Sequence, residues 1–426
     1  MASYFFGGIC GMGMSPLAAF LRDSGAAVCG FDDHPDAVVA NYLEKYGVET
    51  APSPFARIGK NPRDNSDLSG YDTVVISTAL RPLREKFESL GAKNIMLRGE
   101  CWAQICKKRR LSAVVGSHGK STVSAMSAHA INKYGLGGGW LVGAVPAKFD
   151  MHKFAPGGGI VVSEIDESDG TIENFSPEIT AALNADLDHT DTYADWDALK
   201  NMFRRLFGRT KKTVLFPKSD PILREIAREF PQKARPVEIP QNEFNAANAA
   251  LARAVVEETF AVKLPADAFD DFAGLRRRQE RIYADSSAVV VADYAHHPSE
   301  VAAFLKLFNT RFSDRRRITV FQPHRYTRTK KFAQNFAEIL AQSAATGNET
   351  FLAQVYAASE PFDRDGTSEK ILEFAPANAL KLAKDDEPFR VVRDNSAKDE
   401  KLALAVVGAG DIYFAARKFF GDADPR

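Results

Sequence analysis

Residues 111–122 read Leu-Ser-Ala-Val-Val-Gly-Ser-His-Gly-Lys-Ser-Thr, and a helical pattern follows over residues 123–134. An apolar strand, a glycine loop ending in Lys-Ser-Thr and a helix are, in this order, typical of a P-loop, here with a shortened glycine segment. The backbone N–H groups of such a loop hold phosphate oxygens, and the lysine neutralises their charge. The stretch therefore predicts an ATP site on a parallel sheet, and a chance turn is the alternative.

Acidic residues follow the next two apolar runs after the P-loop (residues 116–122). They are Glu164, Asp166, Glu167 and Asp169 after the first run, and Asp186, Asp188 and Asp191, with His189 among them, after the second. The carboxyl ends of parallel strands meet at one edge of a sheet, which would bring these groups beside the P-loop. They suit ligands of a Mg²⁺ ion there, and a solvated acidic loop is the alternative.

The N-terminal residues carry a second phosphate-binding pattern. A short apolar strand at residues 4–6 leads into Gly8, Gly11 and Gly13, and a helix and a second strand ending in Asp32 follow. This order is typical of a nucleotide-binding βαβ unit. The glycines are spaced GxxGxG instead of GxGxxG, so a tight turn between strand and helix is the alternative.

Strands alternate with helices again in the last third of the chain, which predicts another parallel α/β domain. The predicted strands span residues 288–292, 317–322, 351–356 and 402–408. The first is followed by Asp293 and His296, and the second by His324, Arg325 and Arg328. Two arginines and a histidine at one strand end suit an anionic substrate, and charged surface at a helix start is the alternative.

Length and composition set limits on the function. A chain of 426 residues suggests two to four domains, and we expect three. Its 55 basic and 55 acidic residues give a formal net charge of zero, which removes the electrostatic reason to bind nucleic acid or an anionic membrane. Four cysteines without a CxxC pair argue against a disulfide scaffold and a cysteine zinc site. With no signal-peptide pattern and no apolar run of spanning length, we expect a soluble cytoplasmic protein.

Six motifs, in order along the chain, resemble those of the Mur ligase family. They lie at residues 8–15, 116–122, 164–170, 188–193, 293–300 and 321–329. The most specific, besides the P-loop, are Asp-Tyr-Ala-His-His-Pro-Ser-Glu at 293–300 and Phe-Gln-Pro-His-Arg-Tyr-Thr-Arg-Thr at 321–329. The resemblance covers nearly the whole chain.

This resemblance implies an α/β fold with three domains. They are an N-terminal Rossmann-like domain that binds UDP (1–108), a central P-loop ATPase-like domain with a shortened parallel sheet (109–280) and a C-terminal Rossmann-like domain (281–426). It implies a ligase that uses ATP and Mg²⁺ to join L-alanine to the carboxylate of UDP-N-acetylmuramate through an acyl phosphate, in peptidoglycan precursor synthesis. The partners would be these small molecules, without nucleic acid or membrane, and the protein would be a monomer or homodimer.

The resemblance also implies roles for individual residues. The ATP contacts would be Gly116, Ser117, His118, Gly119, Lys120, Ser121, Thr122, Asn245, Asn248 and Asp293. Of the metal ligands, Ser121 would hold a first Mg²⁺ ion, and Glu164 and His189 a second. The catalytic residues would be Lys120, Glu164, His189 and Arg278. The residues binding UDP-N-acetylmuramate and alanine would be Gly11, Met12, Gly13, Asp32, Ser77, Tyr294, His296, His324, Arg325 and Arg328.

The sequence also departs from the family pattern. Phe244 replaces a histidine before Asn245, and Gln279 and Glu280 follow the arginines, as in the tripeptide-adding relative. One alternative is therefore a recycling ligase that joins the murein peptide L-Ala-D-Glu-diaminopimelate to UDP-N-acetylmuramate, although the His-Arg-Tyr-Thr-Arg stretch favours alanine. A non-catalytic nucleotide-binding homologue conflicts with the intact P-loop and acids. An NAD-dependent oxidoreductase, suggested by the glycine turn alone, leaves the P-loop unexplained.

Overall fold

A computed structural model describes residues 1–33, 35–51, 53–57, 67–187, 192–240, 244–358, 360–394 and 401–421. The chain divides into two compact units, Met1–Ala273 and Gly274–Arg426. In the described residues, the first unit contains two β-sheets and the second contains one. The predicted α/β fold is confirmed, with one sheet each in the N-terminal, central and C-terminal parts. The domain boundaries after residues 108 and 280 stay a prediction.

The first sheet is parallel and has five strands. They are β1 (Ser3–Gly7), β2 (Ala27–Phe31), β3 (Glu49–Ala51), β4 (Thr73–Ile76) and β5 (Ile95–Leu97), with helices α1 (Met14–Asp23), α2 (Ala37–Lys45), α3 (Arg84–Ser89) and α4 (Arg98–Cys106). The strand order is β3-β2-β1-β4-β5. Because the chain crosses to opposite sides after β1, a crevice opens at the carboxyl end of this strand. The glycine turn (residues 8–13) lies there, between β1 and α1.

The second sheet belongs to the same unit and has seven strands. They are β6 (Arg110–Val115), β7 (Gly139–Leu141), β8 (His152–Lys153), β9 (Ile160–Glu164), β10 (Ile179–Ala182), β11 (Thr213–Pro217) and β12 (Ala234–Val237), with helices α5 (Lys120–Lys133), α6 (Trp196–Arg209), α7 (Pro221–Ala227) and α8 (Phe244–Phe260). The order is β12-β11-β10-β6-β9-β7-β8, parallel except for the β7–β8 pair. Strand β6 lies between β9 and β10, which places the acidic residues that follow β9, and Asp186 after β10, beside the P-loop.

A single hydrophobic core joins the two sheets of the first unit. It includes residues from Phe6 in β1 to Ala227 at the end of α7. The ring of Phe20 in α1 packs edge-on against Trp102, with centroids 5.1 Å apart, and against Phe154, with centroids 5.2 Å apart. The N-terminal sheet therefore shares its buried surface with the sheet that follows it.

The second unit holds a six-stranded sheet. Its strands are β13 (Glu280–Ala284), β14 (Ala288–Asp293), β15 (Arg316–Phe321), β16 (Asn348–Leu352), β17 (Leu380–Leu382) and β18 (Leu402–Val407), and its helices are α9 (Pro298–Arg311), α10 (Tyr326–Ala345), α11 (Ser368–Phe374), α12 (Glu387–Asp394) and α13 (Ile412–Phe420). The order is β13-β14-β18-β15-β16-β17, with only β13 antiparallel to its neighbour. The residues of β14 and β18 are all buried, as expected for parallel strands covered on both faces.

Several details of the predicted secondary structure differ from the structure. The strand predicted over residues 351–356 instead spans Asn348–Leu352, because the amide of Asn348 is buried and donates to Thr319 Oγ1 (2.9 Å) and Ser343 Oγ (3.0 Å). The antiparallel strands β8 and β13 were not predicted. No helix in the described ranges has both the length and the apolar character that crossing a membrane requires.

Candidate active site

The P-loop connects β6 to α5 and has the backbone that phosphate binding needs. Gly116 and Gly119 have φ angles of +130° and +82°, which favour glycine. A Cβ on Gly116 would lie 3.0 Å from the carbonyl oxygen of Asn184. Helix α5 begins at Lys120, and Ser121 and Thr122 are half-buried in its first turn. The first N–H groups of α5 therefore point into the loop, where they can bind an anion.

The segment after β10 holds this loop in place. The N–H of His118 donates to Asn184 Oδ1 at 2.9 Å, and Asn184 Nδ2 donates back to the carbonyl of His118 at 3.0 Å. The hydroxyl of Ser117 donates to the carbonyl of Asp186 at 2.8 Å and accepts from its N–H at 3.0 Å. These paired hydrogen bonds preorganise the loop for its ligand.

Lys120 is held by its own loop and by a buried carboxylate. Its Nζ donates to the carbonyl of Gly116 at 2.7 Å and lies 3.1 Å from the carboxylate of Glu167, which is 2% exposed. Burial lowers the pKa of Lys120, but Glu167, Asp166 and Glu164 together raise it above its ordinary value. The ammonium therefore stays charged beside the loop.

The acidic loop (residues 164–170) begins where β9 ends. Glu164 Oε2 is buried and has no hydrogen-bond partner among the described residues. A Cβ on residue 143 would lie 1.8 Å from Glu164 Oε1, so Gly143 makes room for this carboxylate. Burial alone would raise the pKa of Asp166, but Lys120 and Arg98 lower it to about 2. The loop therefore brings negative charge next to the P-loop.

Of the other predicted metal ligands, the structure describes Ser121, in the first turn of α5. His189 lies outside the described residues, as do Asp188 and Asp191. Within the described ranges, no group of three or more His, Cys, Asp or Glu side chains is arranged to hold a metal ion. A buried, unpartnered oxygen of Glu164, whose charge also acts on Lys120, nevertheless fits a hard cation that prefers oxygen ligands.

Helix α8 brings its two asparagines to different environments. Asn248 is buried, and its Oδ1 would lie 3.1 Å from a Cβ on Gly119 of the P-loop. Its Nδ2 is buried with no hydrogen-bond partner in the described part of the chain. Asn245 is exposed one turn earlier in the helix. Asn248 therefore lies next to the phosphate end of the loop.

The glycine turn before α1 is closed by short backbone contacts. The N–H groups of Gly8 and Ile9 donate to the carbonyl of Phe31 at 2.9 and 3.0 Å. The N–H of Cys10 donates to the carboxylate of Asp32 at 2.9 Å. Gly8 has a φ of +77°, and a Cβ there would lie 2.8 Å from the hydroxyl of Ser77. Asp32, Ser77 and the turn thus lie together, with Gly11, Met12 and Gly13 half-buried.

The second unit gathers its predicted residues at the carboxyl ends of β14 and β15. Asp293 is buried at the end of β14 and accepts from the N–H of Gln279 (2.9 Å) and of Ala295 (2.8 Å). Burial raises the pKa of Asp293 to about 6, although Arg278 and these N–H groups act in the other direction. The guanidinium of Arg278 lies 5.2 Å from the ring centre of Tyr294. Arg278, Asp293 and Tyr294 are therefore neighbours.

Two neutral imidazoles lie next to the arginines that follow β15. The rings of His296 and His324 are 5.7 Å apart, and His324 stacks on Tyr356 at 5.6 Å. Burial lowers the pKa of His296 to about 4, with Arg328 and Arg278 acting in the same direction and Glu300 opposing them. Burial, His296 and three nearby arginines lower the pKa of His324 to about 3. Arg325 is exposed and Arg328 half-buried, so this edge carries positive charge.

Two long segments of the chain match models of one protein family. Residues 4–110 match the family model described as Mur ligase family, catalytic domain, and residues 277–407 match Mur ligase, glutamate ligase domain. Together the two matches include more than half of the chain. The chain belongs to the Mur ligase family. It is an ATP-dependent ligase that forms an amide bond.

Curated Mur ligases match this member over most of its length. A protein of Kineococcus radiotolerans named UDP-N-acetylmuramate–L-alanine ligase is 29% identical, over 95% of this chain and 91% of that protein. A protein of the same name from Carboxydothermus hydrogenoformans is also 29% identical, over 99% and 97% of the two chains.

Solved structures of Mur ligases share the fold. The UDP-N-acetylmuramate–alanine ligase of Thermotoga maritima has a TM-score of 0.76 at 22% identity and covers 98% of each chain. A murein peptide ligase of Psychrobacter arcticus has a TM-score of 0.67 at 18% identity and covers all of each chain. At these identities the similarity shows the fold alone.

The sequence did not reveal one well-placed arginine of this Mur ligase. Arg277 has a φ of +60°, and its guanidinium donates to the carbonyls of Gly408 (3.2 Å) and Gly410 (2.8 Å). It also lies 4.7 Å from the ring centre of Tyr294 and 5.0 Å from that of Tyr413. Arg277 thus joins the ends of β14 and β18. The only sequence signal at this position is the run of three arginines at residues 276–278.

We expect acid to destabilise the second unit through its imidazoles. Below pH 6.5 the unfolded chain protonates His296 and His324 while the folded chain keeps them neutral, so stability falls with pH. Asp293 has the opposite sign, because folding raises its pKa and protonation between about pH 6 and 4 then favours the folded state. Between pH 7 and pH 5, the free energy of unfolding should fall by about 2 kcal/mol less in His324→Gln than in the wild type.

Urea unfolding followed by circular dichroism at both pH values measures this difference. Asp293→Asn serves as the control of sign, since it should make the acid-induced loss larger. Identical pH profiles for the wild type and His324→Gln would contradict the prediction.

Proposed function

We propose that this Mur ligase joins L-alanine to the carboxylate of UDP-N-acetylmuramate in the synthesis of peptidoglycan precursors. The observation that carries the proposal is the similarity to L-alanine ligases over at least 95% of the chain. The local chemistry agrees with it. One unit carries a P-loop with a charged lysine, and the other carries arginines and neutral imidazoles at the carboxyl edge of its sheet.

The first chemical step brings two anions together. The carboxylate of UDP-N-acetylmuramate attacks the γ-phosphorus of ATP, and an acyl phosphate and ADP result. Positioning and charge neutralisation dominate the catalysis of phosphoryl transfer. We assign the β- and γ-phosphate oxygens to the P-loop N–H groups and to Lys120, which would exchange its contact with the Gly116 carbonyl for the triphosphate.

In this proposal Ser121 would hold a first Mg²⁺ ion, and Glu164 and His189 would hold a second. The buried, unpartnered oxygen of Glu164 is the structural feature that supports a cation here. When bound, the ion would neutralise negative charge between the γ-phosphate and the attacking carboxylate. Glu164 would hold it at the end of β9, where Gly143 leaves room for the carboxylate.

The second step forms the amide bond. The amine of alanine attacks the carbonyl carbon of the acyl phosphate, and inorganic phosphate leaves. A guanidinium can hold the alanine carboxylate by two parallel hydrogen bonds, and we assign this role to Arg325 and Arg328. His296 and His324 are neutral near pH 7. They can therefore accept a hydrogen bond from the amine without adding a second cation, and Tyr294 would form one wall.

The remaining assignments follow the three proposed domains, 1–108, 109–280 and 281–426. UDP would bind at the glycine turn, with Gly11, Met12, Gly13, Asp32 and Ser77. The phosphates would contact Gly116, Ser117, His118, Gly119 and Thr122, and the adenine would be read by Asn245 and Asn248. The nucleotide would also contact Asp293 and Arg278. Because a phenylalanine ring stacks but has no hydrogen-bonding group, Phe244 would not read the base.

The acceptor test distinguishes alanine from a peptide. We expect phosphate release with alanine, release slower by about ten- to two-hundredfold with glycine or serine, and poor turnover of L-Ala-D-Glu-diaminopimelate. Arg328→Ala should raise the KM for alanine by about a hundredfold, since it removes a charge-assisted contact to the carboxylate, and should change the KM for ATP little. Steady-state phosphate release in the presence of UDP-N-acetylmuramate measures both effects.

Lys330→Ala is the matched control for this variant. Lys330 is an exposed cation on the same helix, α10, and contacts Asp363 and Asp365. Its loss should leave both KM values near those of the wild type. Equal turnover of alanine and the tripeptide would reject the proposed function in favour of the recycling ligase.

A further inference from the structure

Helix α4 brings three residues of the N-terminal part to the segment around the acidic loop. The guanidinium of Arg98 lies 3.5 Å from the carboxylate of Asp166. The indole N–H of Trp102 donates to the hydroxyl of Ser163 at 3.1 Å. The helix therefore ends its first turn against the segment that also contains Glu164.

The packing at the second residue of α4 leaves no room for adjustment. A Cβ on Gly99 would lie 1.8 Å from the hydroxyl oxygen of Thr171 and 2.5 Å from its Cβ. Thr171 is itself fixed, because its N–H donates to Asp169 at 2.9 Å and its hydroxyl donates to the same carboxylate at 2.6 Å. The start of α4, and with it Arg98, is therefore rigidly placed.

Arg98 also covers the glycine turn. A Cβ on Gly13 would lie 2.8 Å from Arg98 Nη1 and 2.9 Å from its Cδ. Gly13 precedes the first residue of α1, where N–H groups without helical partners accumulate positive potential. The side chain of Arg98 is 17% exposed. A largely buried guanidinium thus lies against the same backbone that we assign to UDP.

We propose that Arg98 binds the diphosphate of the sugar nucleotide at the glycine turn. The inference rests on the proposed function, which supplies the ligand. A guanidinium presents five N–H donors in a planar fork, and this geometry matches two phosphate oxygens better than an ammonium does. Close packing of Arg98 on Gly13 explains why position 13 has no side chain, since any Cβ would displace the guanidinium.

The contact with Asp166 also connects Arg98 to the acidic loop. The same guanidinium faces the anion-binding turn and the acidic loop, whose Glu167 pairs with Lys120. Occupation of the turn by a diphosphate would therefore compete with Asp166 for Arg98. Asp166 holds Arg98 in place when the turn carries no anion. If Arg98 only supported the acidic loop, loss of Asp166 and loss of Arg98 would affect UDP binding alike; if Arg98 binds the diphosphate, only the loss of Arg98 would weaken it.

The test is direct binding of UDP-N-acetylmuramate, UDP and uridine to the full chain, measured by titration calorimetry without ATP. Arg98→Met should weaken binding of UDP-N-acetylmuramate and UDP by about ten- to a hundredfold, because a charge-assisted contact is lost. Uridine carries no phosphate, and its affinity should change less than about twofold. Arg98→Lys keeps the charge but loses the fork, and should weaken UDP by about three- to tenfold.

Two further variants separate binding from structure. Lys107→Met removes an exposed cation at the opposite end of α4 and should leave UDP binding unchanged. Asp166→Asn removes the competing carboxylate charge but keeps Arg98, and should bind UDP at least as tightly as the wild type. If Asp166→Asn weakened UDP as much as Arg98→Met, Arg98 would only support the loop, and the proposal would be wrong.

Different results would overturn the proposed function and the role of Arg98. A wild-type chain that bound neither UDP nor UDP-N-acetylmuramate would overturn the proposed function. If the wild-type chain bound both ligands, and Arg98→Met and Arg98→Lys bound UDP as tightly as the wild type, the role of Arg98 would be overturned. The proposed function would then still stand.

Discussion

Replacing Lys120 with methionine should reduce ligation by about a thousandfold or more, because no other side chain of the P-loop can neutralise the transferred phosphate. The structure adds a cost in stability. Lys120 lies 3.1 Å from Glu167, which is 2% exposed, and removing one partner of a buried ion pair is destabilising. The variant should therefore melt below the wild type. Phosphate release and thermal unfolding measure the two effects separately.

A double variant distinguishes catalysis from folding. Lys120→Met with Glu167→Gln removes both charges of the pair, and the glutamine keeps the shape of the side chain. We expect it to recover most of the lost stability and none of the ligation. Ligation at the wild-type rate in either variant would refute the P-loop assignment. If both variants failed to fold, the loss of stability would come from altered packing and not from the unpaired charge of Glu167.

The second large effect is expected at Glu164. Replacing it with glutamine removes one negative charge where the proposed Mg²⁺ binds, and should lower kcat by about a hundredfold or more while ATP binding changes much less. Substituting alanine for Gly143 should have a similar effect by another route. Its Cβ would lie 1.8 Å from Glu164 Oε1, so the carboxylate must move. Single-turnover rates and the affinity for ATP measure the two quantities.

Gly70→Ala is the matched control for the glycine substitution. A Cβ on Gly70 would have no atom within 4 Å among its described neighbours, and no unusual backbone angle restricts this position. Its activity should equal that of the wild type. Full activity in Gly143→Ala would instead show that the position of Glu164 does not matter for the reaction.

Much of the fold could be predicted because its signals are local. The glycines, lysine and hydroxyls at residues 116–122 follow one another directly, and a buried strand before them and a helix after them complete the pattern. The strands that end at Glu164 and Asp293 have the continuous apolar residues of parallel strands. Strand β8 could not be predicted, because two residues, His152 and Lys153, carry no periodicity. Strand β16 begins three residues before its predicted start, where the amide of Asn348 donates hydrogen bonds to Thr319 and Ser343.

The connections within the site were harder to predict. Glu167 was only one of several acids in the sequence, and its pairing with Lys120 joins positions 47 residues apart. Arg98 and Asp166 are 68 residues apart, in parts of the chain that sequence analysis assigned to different domains. Arg277 is distinguished from its neighbours by a left-handed backbone, by its hydrogen bonds to the carbonyls of Gly408 and Gly410, and by the ring of Tyr413 in α13. Such contacts depend on tertiary structure and leave no local pattern.

The core shared by the two sheets of the first unit has a consequence for biosynthesis. Phe20 and Trp102 emerge early from the ribosome, but Phe203, Phe207 and the other apolar residues up to Ala227 that complete the same core follow much later. At ordinary translation speed this interval lasts on the order of ten seconds. During that time the nascent N-terminal segment exposes apolar surface that it cannot cover, which makes it a substrate for chaperones acting on growing chains.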